Sequence, residues 1–324
     1  MSEVNEARVS GSIRHAVDYL SNTQTAGGEF RTSWSRLVDM SDSTYVESPF
    51  ITGLIFLALS TFRDARMAVL RRRGIAYLLT KRRANSFFSF LNEGIDCDLD
   101  NICLLNWVIQ SVDHRREHYR ALAEKIARFP RREGLYETWM RAGANHENDT
   151  DPCVSVNTLR FLCHNGIKCD ETIAALREML RSGTYLRGTL YYESGYALPY
   201  LIFTLTPELR GALLKVPEKG ATCARRPPWL SRAGKLSIID KAFRLFILSS
   251  CDDEVAECDE LAGELLADEM AGGGWPNWGA FRAFNYWGSA QLTTAFVAQA
   301  LDRYRATRFR THSSFGEVNH PASN

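Results

Sequence analysis

The chain lacks most of the short motifs that announce a function. It has no Cys-x-x-Cys pair, no His-Glu-x-x-His and no Gly-x-Ser-x-Gly, which argues against a four-ligand structural zinc site, a zinc hydrolase and a nucleophile-elbow hydrolase. The opening MSEVNEARVSGSIRHAVDYL has no apolar stretch of leader length, and the longest apolar run, FITGLIFLAL, is too short to span a bilayer. Net charge is only +1, so no overall field draws the protein to nucleic acid or to an anionic membrane. Local basic clusters such as Arg71-Arg72-Arg73 and Arg225-Arg226 read as solvated helix ends, a phosphate clamp being their other use. Eight cysteines without paired spacing suit a reducing cytoplasm better than a disulfide framework. Strand-type alternation of useful length is also missing. These absences leave an all-α, soluble, cytoplasmic protein whose oligomeric state the sequence does not fix.

What is present is an internal repeat. Five stretches share one format: a helical segment, a loop rich in Gly or aromatics, then a second, apolar helix opening on small or acidic residues. The loops include NTQTAGGEFRTSW (22–34), PRREGLYETWM (130–140) and MAGGGWPNWGAF (270–281). The second helices start near residues 48, 98, 151, 194 and 289, and the last interval is about twice the others. KLSIIDKAFRLFILSS (235–250) supplies an apolar helix midway through that gap, which makes six helical hairpins. The second helices are apolar nearly all round and the first ones are striped, as expected of buried and half-solvated helices. Six buried helices ringed by six amphipathic ones describe an (α/α)6 barrel. It is expected as one domain over 1–307, followed by a polar, disordered tail over 308–324.

In such a barrel the inner helices run parallel, so their N-termini and the loops before them meet at one mouth. Gathered there are Glu47, Ser48, the run Asp96 to Asn101, Asp149 to Cys153, Glu193, Ser194 and Ser289, with Trp34, Phe87, Trp139, Tyr191, Tyr192, Trp275, Trp278, Tyr286 and Trp287 from the loops. The segment GIDCDLDNICLLNW (94–107) puts Asp96, Asp98 and Asp100 within five positions ahead of an apolar helix. Two carboxyls held together out of water cannot both ionise cheaply, so one keeps its proton. Helix-start acids also serve as plain N-caps, and both uses remain open on sequence alone.

The hairpin format and the Gly- and Trp-containing loops resemble the prenyltransferase and squalene-cyclase repeat superfamily. DLDN (98–101) resembles the D-x-D-D motif of its class II terpene cyclases. The resemblance implies protonation-initiated cyclisation of a linear isoprenoid in an apolar cavity. Asp100 takes the middle position, the proton donor of the cyclases, and Asp98 the first. Asn101 stands where the family has a last Asp; an amide there can still orient a neighbouring carboxyl, so Asp98 and Asn101 are expected to orient and tune Asp100. Asp96, Trp139, Asp149, Asp151, Tyr192, Trp275, Trp278, Tyr286 and Trp287 become substrate-binding candidates. A small-molecule isoprenoid is the implied partner. Should it carry a diphosphate, Arg or Lys at the mouth and Mg²⁺ would be called for; no other cofactor is implied. Asp151-Pro152-Cys153 resembles the D-x-C zinc ligands of protein prenyltransferase β subunits, whose third ligand, a histidine, is missing from YWGSAQL (286–292), leaving His146 and His164 as the nearest imidazoles. A non-catalytic isoprenoid- or lipid-binding barrel is the other reading, motivated by Asn101.

Overall fold

The second helix of each repeat offers no polar stripe to water, and the structure gives it none. A computed structural model of the protein describes residues 4–91, 94–140, 148–187, 189–214, 235–251 and 255–309; the expected polar tail lies, from residue 310 on, outside the described residues. Within them are six helix pairs: α1 (Glu6–Thr23) with α2 (Pro49–Ala58), α3 (Ala65–Lys81) with α4 (Leu99–Gln110), α5 (Arg116–Ala127) with α6 (Pro152–His164), α7 (Asp170–Ser182) with α8 (Ala197–Phe203), α9 (Pro207–Leu214) with α10 (Ile238–Leu248), and α11 (Val255–Ala267) with α12 (Ala290–Arg308). Every residue of α2 is buried; each Leu, Ile or Phe so placed contributes about 1.5–3 kcal/mol relative to exposure. The outer α5 buries only Tyr119, Leu122, Ala123 and Ile126, one stripe at i, i+3, i+4 and i+7.

The even-numbered helices pack in a closed order: α2 on α4, α4 on α6, α6 on α8, α8 on α10, α10 on α12, and α12 back on α2. The helix inferred from the doubled interval is α10. Its N-terminus carries a capping box in which Ser237 and Asp240 satisfy each other's backbone N–H. α2 and α4 approach closely at Gly53, where a methyl group would stand 2.2 Å from Leu105 Cδ2.

The mouth departs from a purely helical reading. Short strands β1 (Thr32–Ser35), β2 (Thr44–Val46), β3 (Arg131–Arg132), β4 (Leu135–Tyr136), β5 (Gly279–Ala283) and β6 (Asn285–Gly288) lie in the loops. Four of them form an antiparallel sheet in the order β2-β1-β6-β5, with Trp34 opposite Trp287. Each strand is too short to announce itself by alternation. They pair because ring closure brings the first and last loops together.

Candidate active site

The first turn of α4 lies at the mouth, and its three acidic or amide side chains divide into two jobs. Asp98 is the N-cap, in extended backbone at φ −130° and ψ 154°. Its Oδ1 accepts from the Asn101 backbone N–H at 2.8 Å and from Asn101 Nδ2 at 3.0 Å, and its Oδ2 from the same amide at 3.0 Å. It also accepts the backbone N–H of Phe90, so one carboxylate ties the aromatic loop to the helix. Burial pushes Asp98 up to about 6, against the pull of these hydrogen bonds.

Asp100, two residues on, has no part in capping. Asn157 Nδ2, from α6, donates to its Oδ1 at 2.7 Å, and the Tyr192 hydroxyl donates to its Oδ2 at 2.7 Å. The same Asn157 amide reaches the Tyr192 oxygen at 3.2 Å. Asp100 is 6% exposed and is pushed up to about 7, first by burial and then by the Asp98 charge, while Asn157 and Tyr192 pull it down. Dry surroundings, more than a proton shared between carboxyls, therefore raise this acid. The expectation that Asn101 orients Asp100 is corrected: Asn101 serves Asp98, and Asn157 with Tyr192 serve Asp100.

Asp98 and Asp100 open on a cavity of about 860 Å³, within the roughly 300–1,000 Å³ usual for small-molecule sites. Its walls are mainly apolar and aromatic. From Tyr192, behind the acid, rings follow one another: Phe281 edge-on at 4.9 Å between centroids, then Phe50 edge-on at 5.3 Å, Phe90 tilted at 5.8 Å and Trp287 edge-on at 5.2 Å. On the other side Trp139 Nε1 donates to the Tyr191 hydroxyl at 2.9 Å, and Tyr191 donates to Asp149 Oδ2 at 2.6 Å. In the far half of the ring the described residues include a packed aromatic cluster. Tyr200 stacks on Phe243 at 4.0 Å and meets Phe246 and Phe296 edge-on, with its hydroxyl on Gln299 at 2.6 Å.

Of the residues expected at the site, Asp96, Asp98, Asp100, Asn101, Trp139, Asp149 and Trp287 line the cavity, and Tyr192 stands directly behind Asp100. Four others do not line it. Asp151 is fully buried and spends its carboxylate on backbone N–H groups: Cys153 at 2.7 Å, Leu190 at 2.6 Å and Tyr191 at 3.3 Å. Trp275 is fully buried, its Nε1 donating to the Leu265 carbonyl at 2.7 Å, so it packs α11 against the mouth loop. Trp278 packs partly buried against the core. Tyr286 neighbours Trp287 on β6, and adjacent strand residues face opposite ways, so Trp287 takes the cavity side. Phe50, Phe90, Phe281 and Asn157 were not anticipated. Asn157 had a signal: it is a buried amide midway along an inner helix.

The Asp151 and Cys153 pair does not converge on a zinc ion, because Asp151 is committed to capping. His164 ends α6 at the opposite end from the mouth, and His146 lies outside the described residues. Among the described residues no group of three or more His, Cys, Asp or Glu is arranged to hold a metal. Asp98 and Asp100 spend both carboxylate oxygens on protein donors, and the buried Asp149 Oδ1 is left without a hydrogen-bond partner; with no group of three or more such side chains converging among the described residues, they do not fit a Mg²⁺ site and no step is routed through one. No helix among the described residues is long and apolar enough to cross a membrane.

No family model matches the chain, and no curated protein matches it in sequence. Solved structures do share its fold. A variant of the type II terpene cyclase MstE from Scytonema, in complex with its substrate geranylgeranyl dihydroxybenzoate, aligns with TM-score 0.64 at 15% identity, over 93% of this chain and 99% of that one. Another MstE variant, holding the product merosterolic acid A, gives TM-score 0.64 at 15% identity over 93% and 98%. A possible member of the GH105 family from Klebsiella pneumoniae aligns with TM-score 0.56 at 12% identity, over 94% and 95%. The chain therefore has the fold of the type II terpene cyclases. Because that helical architecture is also found outside them, function rests on the site.

Proposed function

We infer that the protein is a class II-type terpene cyclase, in which a linear isoprenoid folds in the aromatic-walled cavity and Asp100 starts cyclisation. One observation carries this reading: a buried carboxyl, held by two donors of its own, on the wall of a mainly apolar cavity, where burial pushes it up toward neutrality. Burial keeps the proton on Asp100 while the cavity is dry. When a terminal alkene or epoxide lies against the acid, the O–H bond breaks and a C–H or epoxide O–H bond forms at the substrate. Asn157 and Tyr192 both donate to Asp100, so they stabilise the carboxylate that transfer leaves behind, which is where a catalyst gains. The cation is then held by the faces of Phe50, Phe281, Phe90 and Trp287, each supplying up to about 2 kcal/mol when desolvated. Asp98, with Asn101, positions Phe90.

The non-catalytic binding barrel was motivated by Asn101 in place of a last aspartate. That motive weakens once Asn101 is seen to serve the cap. The described lining holds one cation, Arg282, against Asp96, Asp98, Asp100 and Asp149, which favours a neutral or singly anionic head group over a bare diphosphate. Incubation with linear polyprenes, geranylgeranyl dihydroxybenzoate and prenyl diphosphates, with Asp100→Asn in parallel and products read by mass spectrometry, tests the reading. Cyclised product from the native protein and loss of it in the variant is expected. Equal product from both, or none from either, overturns it.

A further inference from the structure

A cyclisation that begins with a proton has to end by giving one up. The cation proposed above rests among Phe50, Phe281, Phe90 and Trp287, whose faces hold charge but take no proton. A group that ends the reaction must line the same cavity, keep a lone pair unused and be held still. Asp149, just ahead of α6, meets these conditions. It lines the cavity. Its Oδ2 accepts from the Tyr191 hydroxyl at 2.6 Å and from Trp139 Nε1 at 3.2 Å. Trp139 Nε1 also donates to the Tyr191 oxygen at 2.9 Å, and the two rings meet edge-on at 6.0 Å, so the three side chains brace one another. Burial, and then the Asp149 carboxylate, push the Tyr191 hydroxyl up, which keeps it a donor. Asp149 Oδ1, by contrast, is buried and accepts no hydrogen bond. Asp98, Asp100 and Asp151 differ from it, each having hydrogen bonds on both oxygens.

The backbone sets how far this carboxylate lies from the acid. The Leu99 N–H donates to the Thr138 carbonyl at 2.8 Å, and the Thr138 N–H to the Asp149 carbonyl at 2.9 Å. The start of α4 and Asp149 are therefore two ladder spacings apart, about 10 Å. That separation leaves room for a folded chain between a group that gives a proton and one that takes it.

Resting on the cyclase reading, we propose that Asp149 is the catalytic base that ends the reaction. A C–H bond beside the last cationic carbon breaks, its electron pair becomes a carbon–carbon double bond, and the proton goes to Asp149 Oδ1. Asp100 has given the substrate one proton and Asp149 has removed one. The product is therefore an isomer of the substrate, a cyclic alkene with no water added. The two carboxyls return to their starting states by exchange with solvent once the product has left.

The test compares product identity in the full chain, a readout that loosened packing alone does not redirect. Native protein, Asp149→Asn, Asp149→Glu and Tyr191→Phe are incubated with linear polyprenes, geranylgeranyl dihydroxybenzoate and prenyl diphosphates, and products are resolved by chromatography with mass spectrometry. The native protein is expected to give a main product of the same mass as its substrate. In Asp149→Asn that alkene should fall about 100-fold, within the roughly 10²–10⁴ usual for a positioned base. Other double-bond isomers, or adducts heavier by one water, should take its place. Asp149→Glu, which can still take a proton, should bring the native alkene back as the main product. Tyr191→Phe keeps the ring and removes one brace, so it should move the isomer ratio the same way by a smaller step, and it carries the test should the amide variant fail to fold. An unchanged product pattern in the folded variants, or a native product that already contains an added water, overturns the inference and leaves the cyclase reading standing. No cyclised product from the native protein overturns that reading, and the inference with it.

Discussion

The starts of α4 and α6 are the same device built twice, with one difference. Asp98 and Asp151 each cap their helix and, with the same carboxylate, hold backbone N–H groups of a neighbouring mouth loop: Phe90 for Asp98, Leu190 and Tyr191 for Asp151. Two residues after the cap stand Asp100 in α4 and Cys153 in α6. The α6 start shows that capping and loop tethering need only the first acid. Asp100 is surplus to the architecture, buried at a cost, and given two hydrogen-bond donors of its own from α6 and the loop before α8. On the proposed reading, this is how the acid differs from the cap.

The comparison is broken most sharply by Asp100→Asn. Cyclisation should fall about 1,000-fold, the usual range for removing a positioned general acid being roughly 10²–10⁴, while the folded structure is kept. Activity of the native protein should fall with rising pH above about 7, as Asp100 loses its proton.

Stability should fall with rising pH as activity does, but over a lower window. Asp100 goes from 3.8 in an unfolded chain to about 7 here, so between those values the folded protein holds a proton that the unfolded chain has released. Its contribution is full below about pH 4 and is lost as pH rises through 7. Three pH units correspond to something on the order of 3–4 kcal/mol. Urea unfolding should therefore show the native protein weakening between pH 5 and 8, and Asp100→Asn weakening less, Asp98 and Asp151 still contributing their own slopes.

Asp151→Ala should leave the acid in place and injure the scaffold. It removes the α6 cap and the tether on Leu190 and Tyr191, for about 2–3 kcal/mol given that hydrogen bonds to a charged group are worth roughly 1.5–3. A lowered urea midpoint at unchanged m-value is the expected reading. The smallest effect is expected of Tyr192→Phe. It keeps the ring against Phe281 and removes one donor that pulls Asp100 down. The alkaline limb of the activity profile should shift upward, with a loss of roughly tenfold from one missing hydrogen bond of about 1.4 kcal/mol.

The hairpins were legible because buried and half-buried helices leave different patterns in sequence, and even the sixth, α10, could be placed from an interval twice the others. Asp100 was legible as one of three close acids. Its partners were not, because Asn157 belongs to another helix and only the ring brings it across. The loop aromatics were ambiguous for a similar reason. Trp275 and Trp287 look alike in sequence, yet one packs beneath α11 and the other is turned to the cavity by a strand whose partner, β1, lies some 250 residues earlier. Asn101 misled because a motif reads neighbours in sequence, whereas the first turn of α4 points Asn101 back at Asp98 and Asp100 away toward α6.

The central claim is a proton stored on one side chain, and it can be titrated without knowing the substrate. With ¹³C-labelled aspartate, the carboxyl signal present in the native protein and missing from Asp100→Asn should titrate near pH 7. A signal titrating near pH 4 would mean that Asp100 is an ordinary solvated helix-start acid, and the cyclase reading would fall with it.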